Sequence, residues 1–203
     1  MRSGQQVSAQ LRSAVLDDMR RWLEHAVIGL NLCPFAKSVH VKEQIHWVVT
    51  GAQDVQGLLA VLRAELLELA AMSPDQRDTT LLMVPGFLAD FLDFNDFLGE
   101  ADTLLEELGL QGELQIASFH PLFQFAGTAV EDIGNYSNRA PYPTLHLLRE
   151  ASIDRAVQAY PKPEAIYERN IQVLAQLGLK GWQALGLQAT APTGRADRLR
   201  EQG

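Results

Sequence analysis

Cysteine is almost absent from the sequence. Cys33 is the single cysteine among 203 residues, which excludes an internal disulfide and a Cys-x-x-Cys zinc or redox motif. Long apolar runs are also absent, since no stretch approaches the roughly 18 consecutive apolar residues of a membrane-spanning helix. The polar start, MRSGQQVSAQ, lacks the apolar segment of a signal peptide. We therefore expect a soluble, cytoplasmic protein without a membrane partner.

Positive charge is scarce as well. The chain has 17 Lys and Arg against 25 Asp and Glu, a net charge of −8, which would repel a phosphate backbone and argues against nucleic acid as a partner. Hydrophobic residues make up 47% of the chain, enough at this length for one sizeable core. We expect a single globular domain over residues 1–188, with residues 1–8 frayed and residues 189–203 as a disordered tail.

Segments typical of strands and helices alternate along the first part of the chain. Short β-branched or apolar runs predict strands, and apolar residues at three- and four-residue spacing predict helices. The predicted strands are residues 45–50, 79–85 and 113–119, and the predicted helices before and between them are residues 11–26, 54–69 and 91–108. This alternation indicates an α/β fold whose small, largely parallel sheet has three strands or slightly more, with flanking helices.

The C-terminal part is predicted to be helical. Pro143 suits the first turn of a helix, and Leu145, Leu148 and Ile153 give that helix a buried side. A last amphipathic helix is predicted over residues 166–177.

Residues 120–143 show neither a strand nor a helix period. Loops longer than roughly 12 to 15 residues without structure of their own are usually functional or disordered. This loop carries too many large apolar groups to be disordered, among them Phe123, Phe125 and Tyr136. We expect it to fold over a ligand or another part of the protein.

Cys33 lies in the turn GLNLCPFAK. Pro34 suits a first helical position, so Cys33 could cap a short helix, where the helix dipole and Lys37 one turn later would lower its pKa from about 8.5. The alternative is that Cys33 is a small buried hydrophobe, as single cysteines often are.

His120 follows the third predicted strand. Ligands gather at the carboxyl ends of parallel strands, and a neutral imidazole there could act as an acid, a base or a ligand. The alternative is a histidine that holds the loop through a backbone hydrogen bond.

Arginine and asparagine residues accumulate around the same loop. In the predicted helix, offsets of three and four residues would bring His146, Arg149 and Glu150 onto one face. Two arginines and a helix N-terminus approached by asparagines would bind a carboxylate or phosphate. The predicted anion-binding residues are Arg139, Arg149, Asn135, Asn138 and Lys37. The alternative for each arginine is a structural salt bridge.

No cofactor motif is recognisable. A Walker loop and a Gly-x-Gly-x-x-Gly pattern are absent, and no pair of histidine or cysteine residues has a short zinc-like spacing. We predict no metal site, and the cofactor stays open.

Three motifs occur in order: IGLNLCPFAK, SFHPLFQFAGT and NYSNRAPYPTLHLLREASIDRAV. With them the chain resembles an uncharacterised bacterial family catalogued as a domain of unknown function. The resemblance covers roughly residues 22–182 and implies no reaction, cofactor or catalytic residue. In that family a polar residue and a tyrosine usually follow the His-Pro pair. Leu122 and Phe123 stand there in this chain, which excludes a phenolic role at position 123.

Two functional hypotheses follow. The first is a small enzyme acting on a small anionic metabolite, at a site built by residues 119–150 and 31–37. The arginines would hold the anion, His120 and His146 would move protons, and Cys33 would be the nucleophile or a neighbour of it. The second is a non-catalytic ligand-sensing or partner-binding module that uses the same loop. An exposed sheet edge would also allow a homodimer.

Overall fold

A mixed four-stranded sheet forms the middle layer of the fold. The computed structural model describes residues 7–159 and 165–191. The strands are β1 (Ile45–Val49), β2 (Thr79–Met83), β3 (Leu114–Phe119) and β4 (Thr144–Arg149). Their order is β1-β2-β4-β3, with β1 parallel to β2 and both other pairs antiparallel.

Helices surround this sheet. They are α1 (Ala9–Trp22), continued by a π-helix (Leu23–Ile28), α2 (Ala36–Val41), α3 (Val55–Ala71), α4 (Phe91–Glu107), a 3₁₀ helix (Ile133–Asn138), α5 (Glu150–Ala159) and α6 (Ala165–Ala184). Side chains cap several of them: Asp54 accepts the Gly57 N–H at the start of α3, and Asp90 accepts the Leu92 N–H at the start of α4. No helix in the described ranges is long and apolar enough to cross a membrane.

Each face of the sheet supports its own apolar core. Alternate strand residues such as Leu82, Leu145 and Leu147 pack against α3 and α4. Their neighbours on the opposite face, such as Leu81 and Met83, pack with α1 and α6. β2, in the middle of the sheet, is therefore buried on both faces, and all five of its residues are buried.

The predicted largely parallel, three-stranded sheet is wrong. Residues 144–149 form β4 and not the helix predicted from Pro143, and β4 inserts between β2 and β3. Leu145 and Leu148 match a helical stripe, but Leu145 and Leu147 also match one buried face of a strand, and periodicity over so short a segment does not distinguish the two. The Pro143 carbonyl accepts the Val84 N–H and extends the pairing with β2.

The other predicted elements are confirmed, with changes at their ends. The last helix passes through a kink at Gly178, where φ is 64°, and continues to Ala184. Within the predicted tail, Thr190 and Ala191 make hydrogen bonds to Asp18 and Tyr142. Residues 1–6 of the predicted frayed start and residues 192–203 of the tail lie outside the described residues.

Candidate ligand-binding site

A cavity of about 310 Å³ lies between the sheet and the helices on the α1 side; we call it the apolar pocket. Its floor comes from the strands and its walls from α1, the π-helix, the Cys33 turn, α2 and α5. The apolar lining residues include Trp22, Leu23, Val27, Phe35, Val39, Ile45, Leu81, Phe119, Leu148 and Ile153. The polar lining residues are Cys33, Asp78, Thr79, Gln115, His146 and Ser152.

His146 is placed in this pocket by strand register. In β4 it lies opposite Leu81 of β2 and Ala117 of β3. Because side chains alternate across a strand, His146 points away from α3 and α4, whereas its neighbours Leu145 and Leu147 point towards them.

His146 is a neutral hydrogen-bonding group. Thr79 donates its hydroxyl hydrogen to the Leu147 carbonyl at 2.7 Å, so Thr79 Oγ1 accepts a hydrogen bond from His146 Nε2–H at 2.8 Å. This bond assigns the Nε2–H tautomer and leaves Nδ1 as an acceptor, for which the described residues supply no partner. Burial lowers the pKa of His146 to about 4.

Cys33 matches the alternative of a partly buried side chain better than that of an activated thiol at a helix N-cap. Burial raises the pKa of the thiol, and the Phe35 and Ala36 backbone N–H groups offset this only in part. Helix α2 begins at Ala36, so Cys33 is not its N-cap. Lys37 is exposed on α2 and is not among the groups that shift this pKa.

A chain of hydrogen bonds forms the polar edge of the pocket. Ser152 on α5 donates its hydroxyl to Asp78 Oδ1 at 2.6 Å. Arg155, one turn later, donates from Nη2 to Ser152 Oγ at 2.9 Å. This chain connects α5 to the residue that precedes β2.

His120 lies outside the apolar pocket and holds the loop after β3. Its Nδ1 accepts the Leu122 N–H at 3.0 Å, so Nε2 carries the proton and donates to the Leu88 carbonyl at 3.0 Å. Burial between Phe91 and Phe94 lowers the pKa of this fully buried imidazole. Among the described residues, β3 is an edge strand paired with antiparallel β4, so the argument from parallel strands does not apply to His120.

Asn135, Asn138 and Arg139 organise that same loop. Asn135 is fully buried; its Oδ1 accepts the Phe125 N–H and its Nδ2 donates to the Ala129 carbonyl. Asn138 Nδ2 donates to the Ser118 carbonyl at 3.4 Å. Arg139 donates to the carbonyls of residues 123 and 130 and lies 4.1 Å from the Tyr136 ring centroid. These donors bind the protein's own backbone, so the loop folds largely over itself.

Arg149 closes the C-terminal end of α3. Its guanidinium donates to the carbonyls of Leu69, Met72 and Arg77. The side chain faces the α3 side of the sheet, opposite to His146, because three residue steps along a strand reverse the face.

The structure therefore separates the predicted site residues. Cys33 and His146 line the apolar pocket, whereas His120 lies with Asn135, Asn138 and Arg139 in the loop after β3. Arg149 pairs with Leu114, five residues before the end of β3, so it lies about 17 Å from the His120 end of the strand. The catalytic and binding roles assigned to these residues stay predictions.

Several pocket residues had no recognisable signal in the sequence. Thr79 and Thr80 are polar residues at the start of a fully buried strand, and this is the one local hint. Asp78 and Ser152 become neighbours only because α5 follows β4 back past the start of β2. None of the three pocket residues Asp78, Thr79 and Ser152 is among the site residues predicted from the sequence.

A second cavity, of about 370 Å³, lies between the loop and α6. Trp22, Tyr136 and Trp182 line it together with Arg139. Arg139 already donates to two carbonyls and stacks on Tyr136, so its guanidinium is engaged by the protein itself. Within the described ranges, no group of three or more His, Cys, Asp or Glu residues could hold a metal ion.

A family model described as "Protein of unknown function (DUF1415)" matches residues 14–184. The chain belongs to this family. The resemblance to a family of unknown function is thereby confirmed, and membership adds no reaction to the geometry above. No curated protein and no solved structure matches the chain.

Proposed function

We propose that the protein binds a small, largely apolar molecule in the apolar pocket, as a ligand-sensing or ligand-carrying module. The observation that carries the proposal is a cavity of about 310 Å³ with a mainly apolar lining and a few polar groups on one side. Ligand sites in proteins have this composition, with volumes of roughly 300 to 1,000 Å³. The pocket is at the small end of that range.

The charge of the lining favours an uncharged ligand body. No lysine or arginine lines the apolar pocket, and its one carboxylate, on Asp78, accepts a hydrogen bond from Ser152. Burying an unpaired charge there would be unfavourable, since nothing in the lining compensates the lost hydration. Arg139 and Arg149, the predicted anion-binding arginines, bind backbone carbonyls elsewhere.

His146 supplies one directional contact. Its Nδ1 accepts a hydrogen bond, and the pKa of about 4 keeps the ring neutral at pH 7. A ligand that carries a hydroxyl or N–H group on its apolar body would therefore bind more tightly than the hydrocarbon alone.

Filling the cavity tests this proposal. Ala156 lines the apolar pocket, whereas Ala60 is exposed on α3. With 1-octanol as the probe, we expect binding with a negative heat-capacity change in calorimetry, at least tenfold weaker in Ala156→Phe. Ala60→Phe is the matched control and should bind like the wild type. Equal binding by both variants, or no binding of 1-octanol by the wild type, would contradict the proposal.

An enzyme is the second candidate, because a thiol and an imidazole line the same pocket. The raised pKa of Cys33 and the lowered pKa of His146 disfavour a thiolate–imidazolium pair, so neutral His146 would act as a proton acceptor. Mass spectrometry of a bound ligand after incubation distinguishes the two functions. A product formed by the wild type and not by His146→Gln would favour the enzyme.

A further inference from the structure

A polar cavity adjoins the apolar pocket. It has a volume of about 620 Å³ and is open to solvent between α2, α5 and the turn before β2; we call it the polar pocket. The side chains that line both cavities are Phe35, Val39, Asp78, Ser152 and Ala156. The two cavities thus meet along one shared wall, apolar on the α2 side and polar at Asp78 and Ser152.

Two cations line the polar pocket without a carboxylate partner. Neither Lys42 nor Arg155 forms an ion pair with a carboxylate in the described parts of the chain. Arg155 uses one guanidinium nitrogen, Nη2, to donate to Ser152, which leaves its other N–H groups directed to no described protein acceptor. Two carboxylates, Asp75 and Asp78, line the same pocket, and Asp78 Oδ1 accepts a hydrogen bond from Ser152.

We infer that the two cavities form one binding site for an amphiphile with a carboxylate head. Its apolar body would lie in the apolar pocket, and its carboxylate would lie in the polar pocket beside Arg155 and Lys42. This inference rests on the proposed function, and it names the class of ligand.

The chemistry of the polar pocket favours a carboxylate over an ammonium head. The guanidinium group of arginine presents N–H donors in a planar fork that matches the two oxygens of a carboxylate. Asp75 and Asp78 also line this pocket, so the head group is placed on the Arg155 and Lys42 side of it, away from these two carboxylates. The apolar pocket itself contains no cation, so the charged end has to lie in the polar pocket.

Three probes with the same eight-carbon chain test the inference: octanoate, 1-octanol and octylamine, each titrated by calorimetry at pH 8. At this pH the carboxylic acid is ionised and the amine is protonated. We expect octanoate to bind about fivefold tighter than 1-octanol, which corresponds to about 1 kcal/mol. Octylamine should bind more weakly than 1-octanol. Added salt should reduce the preference for octanoate, because the cations are exposed to solvent.

Two variants and two matched controls locate the head group. Arg155→Ala and Lys42→Ala should each reduce the preference for octanoate and leave 1-octanol binding unchanged. Arg63→Ala on α3 and Lys180→Ala on α6 remove the same charges from side chains that line neither cavity, and should leave both affinities unchanged.

The outcomes separate the inference from the proposed function. Equal binding of octanoate and 1-octanol, or tighter binding of octylamine, would overturn the carboxylate head while the proposed function stands. A preference for octanoate that survives in both Arg155→Ala and Lys42→Ala would overturn the location of the head. If none of the three probes binds, the proposed function fails and the inference fails with it.

Discussion

Individual side chains in the apolar pocket behave according to their burial. The turn before α2 and the nearby Lys37 suggest an acidic thiol, but desolvation is the largest influence on Cys33 and raises its pKa. The same cause acts on His146, where burial disfavours the imidazolium form and lowers the pKa to about 4. Both groups are therefore neutral at pH 7, and the pocket carries less charge than its sequence suggests.

Alkylation of Cys33 measures the first of these effects. Because burial raises the pKa of this thiol above its ordinary value, we expect slow labelling by iodoacetamide at pH 7 and a rate that is still rising at pH 9. No second thiol competes. Saturating 1-octanol should slow the labelling further, since Cys33 lines the same pocket. Fast labelling at pH 7 would mean that the thiol is ionised and that the pocket is open to water.

The pH dependence of stability measures the second effect. The pKa of His146 falls from 6.5 in the unfolded chain to about 4 in the fold, so the unfolded state binds the proton first as the pH drops. The free energy of unfolding should therefore decrease between pH 6.5 and pH 4, by at most roughly 3 kcal/mol. Urea denaturation of His146→Gln should show a smaller decrease over this window.

His25→Gln is the control for that measurement, because His25 is an exposed histidine. It should follow the wild-type profile. Since burial also lowers the pKa of His120, the comparison between variants matters more than the wild-type slope. An identical acid dependence in His146→Gln and the wild type would contradict the assignment.

Among the elements, β4 decides the arrangement of the site. By pairing with both β2 and β3, it sends His146 to the α1 face and Arg149 to the α3 face. Arg149 then meets the end of α3, where the last carbonyls of a helix lack partners within the helix. An arginine from a strand thus stabilises a helix about 80 residues earlier in the chain.

Removing the Arg149 side chain should lower the free energy of unfolding. In Arg149→Ala, the buried carbonyls of Leu69, Met72 and Arg77 lose their donor. We expect a loss of about 3 kcal/mol in the free energy of unfolding, measured with urea, and faster amide exchange in the last turn of α3. Arg63→Ala is the control, since this exposed side chain forms a surface ion pair with Glu107 and should change stability by less than about 1 kcal/mol.

For the whole molecule, Asp18 joins distant parts of the chain. This buried carboxylate on α1 accepts hydrogen bonds from the Tyr142 hydroxyl at 2.7 Å and the Thr190 N–H at 2.7 Å. The Tyr142 hydroxyl in turn accepts the Ala191 N–H at 3.0 Å. α1, the segment before β4 and the C-terminal segment are therefore connected through one buried network. The homodimer stays a prediction that these contacts do not test.

Tyr142→Phe should loosen this network without changing the shape of the side chain. It leaves the buried Asp18 carboxylate with fewer donors and the Ala191 N–H without its acceptor. We expect a loss of roughly 1 to 3 kcal/mol in the free energy of unfolding and faster proteolysis near residues 187–191. Tyr167→Phe removes a hydroxyl from a side chain that is 53% exposed and serves as the matched control. Equal effects of the two substitutions would show that the network contributes no stability.

Local sequence was sufficient for most of the elements. The apolar stripes of α1, α3 and α4 and the caps Asp54 and Asp90 lie within single segments, and so does the β-branched run of β1. Each of these signals acts between residues a few positions apart, where local spacing determines which side chains share a face. The single cysteine and the absence of short zinc-like spacings are likewise evident from the sequence alone.

The place of β4 and the composition of the pocket depended on contacts between distant segments. Residues 144–149 fit either a helix or a buried strand, and pairing with β2 and β3 selected the strand. The same pairing separated His146 from Arg149 and brought His146 together with Cys33, more than 100 residues away in the chain. The direction of each pKa shift also depended on the tertiary structure, since desolvation is set by what surrounds a group in space and not by its neighbours in sequence.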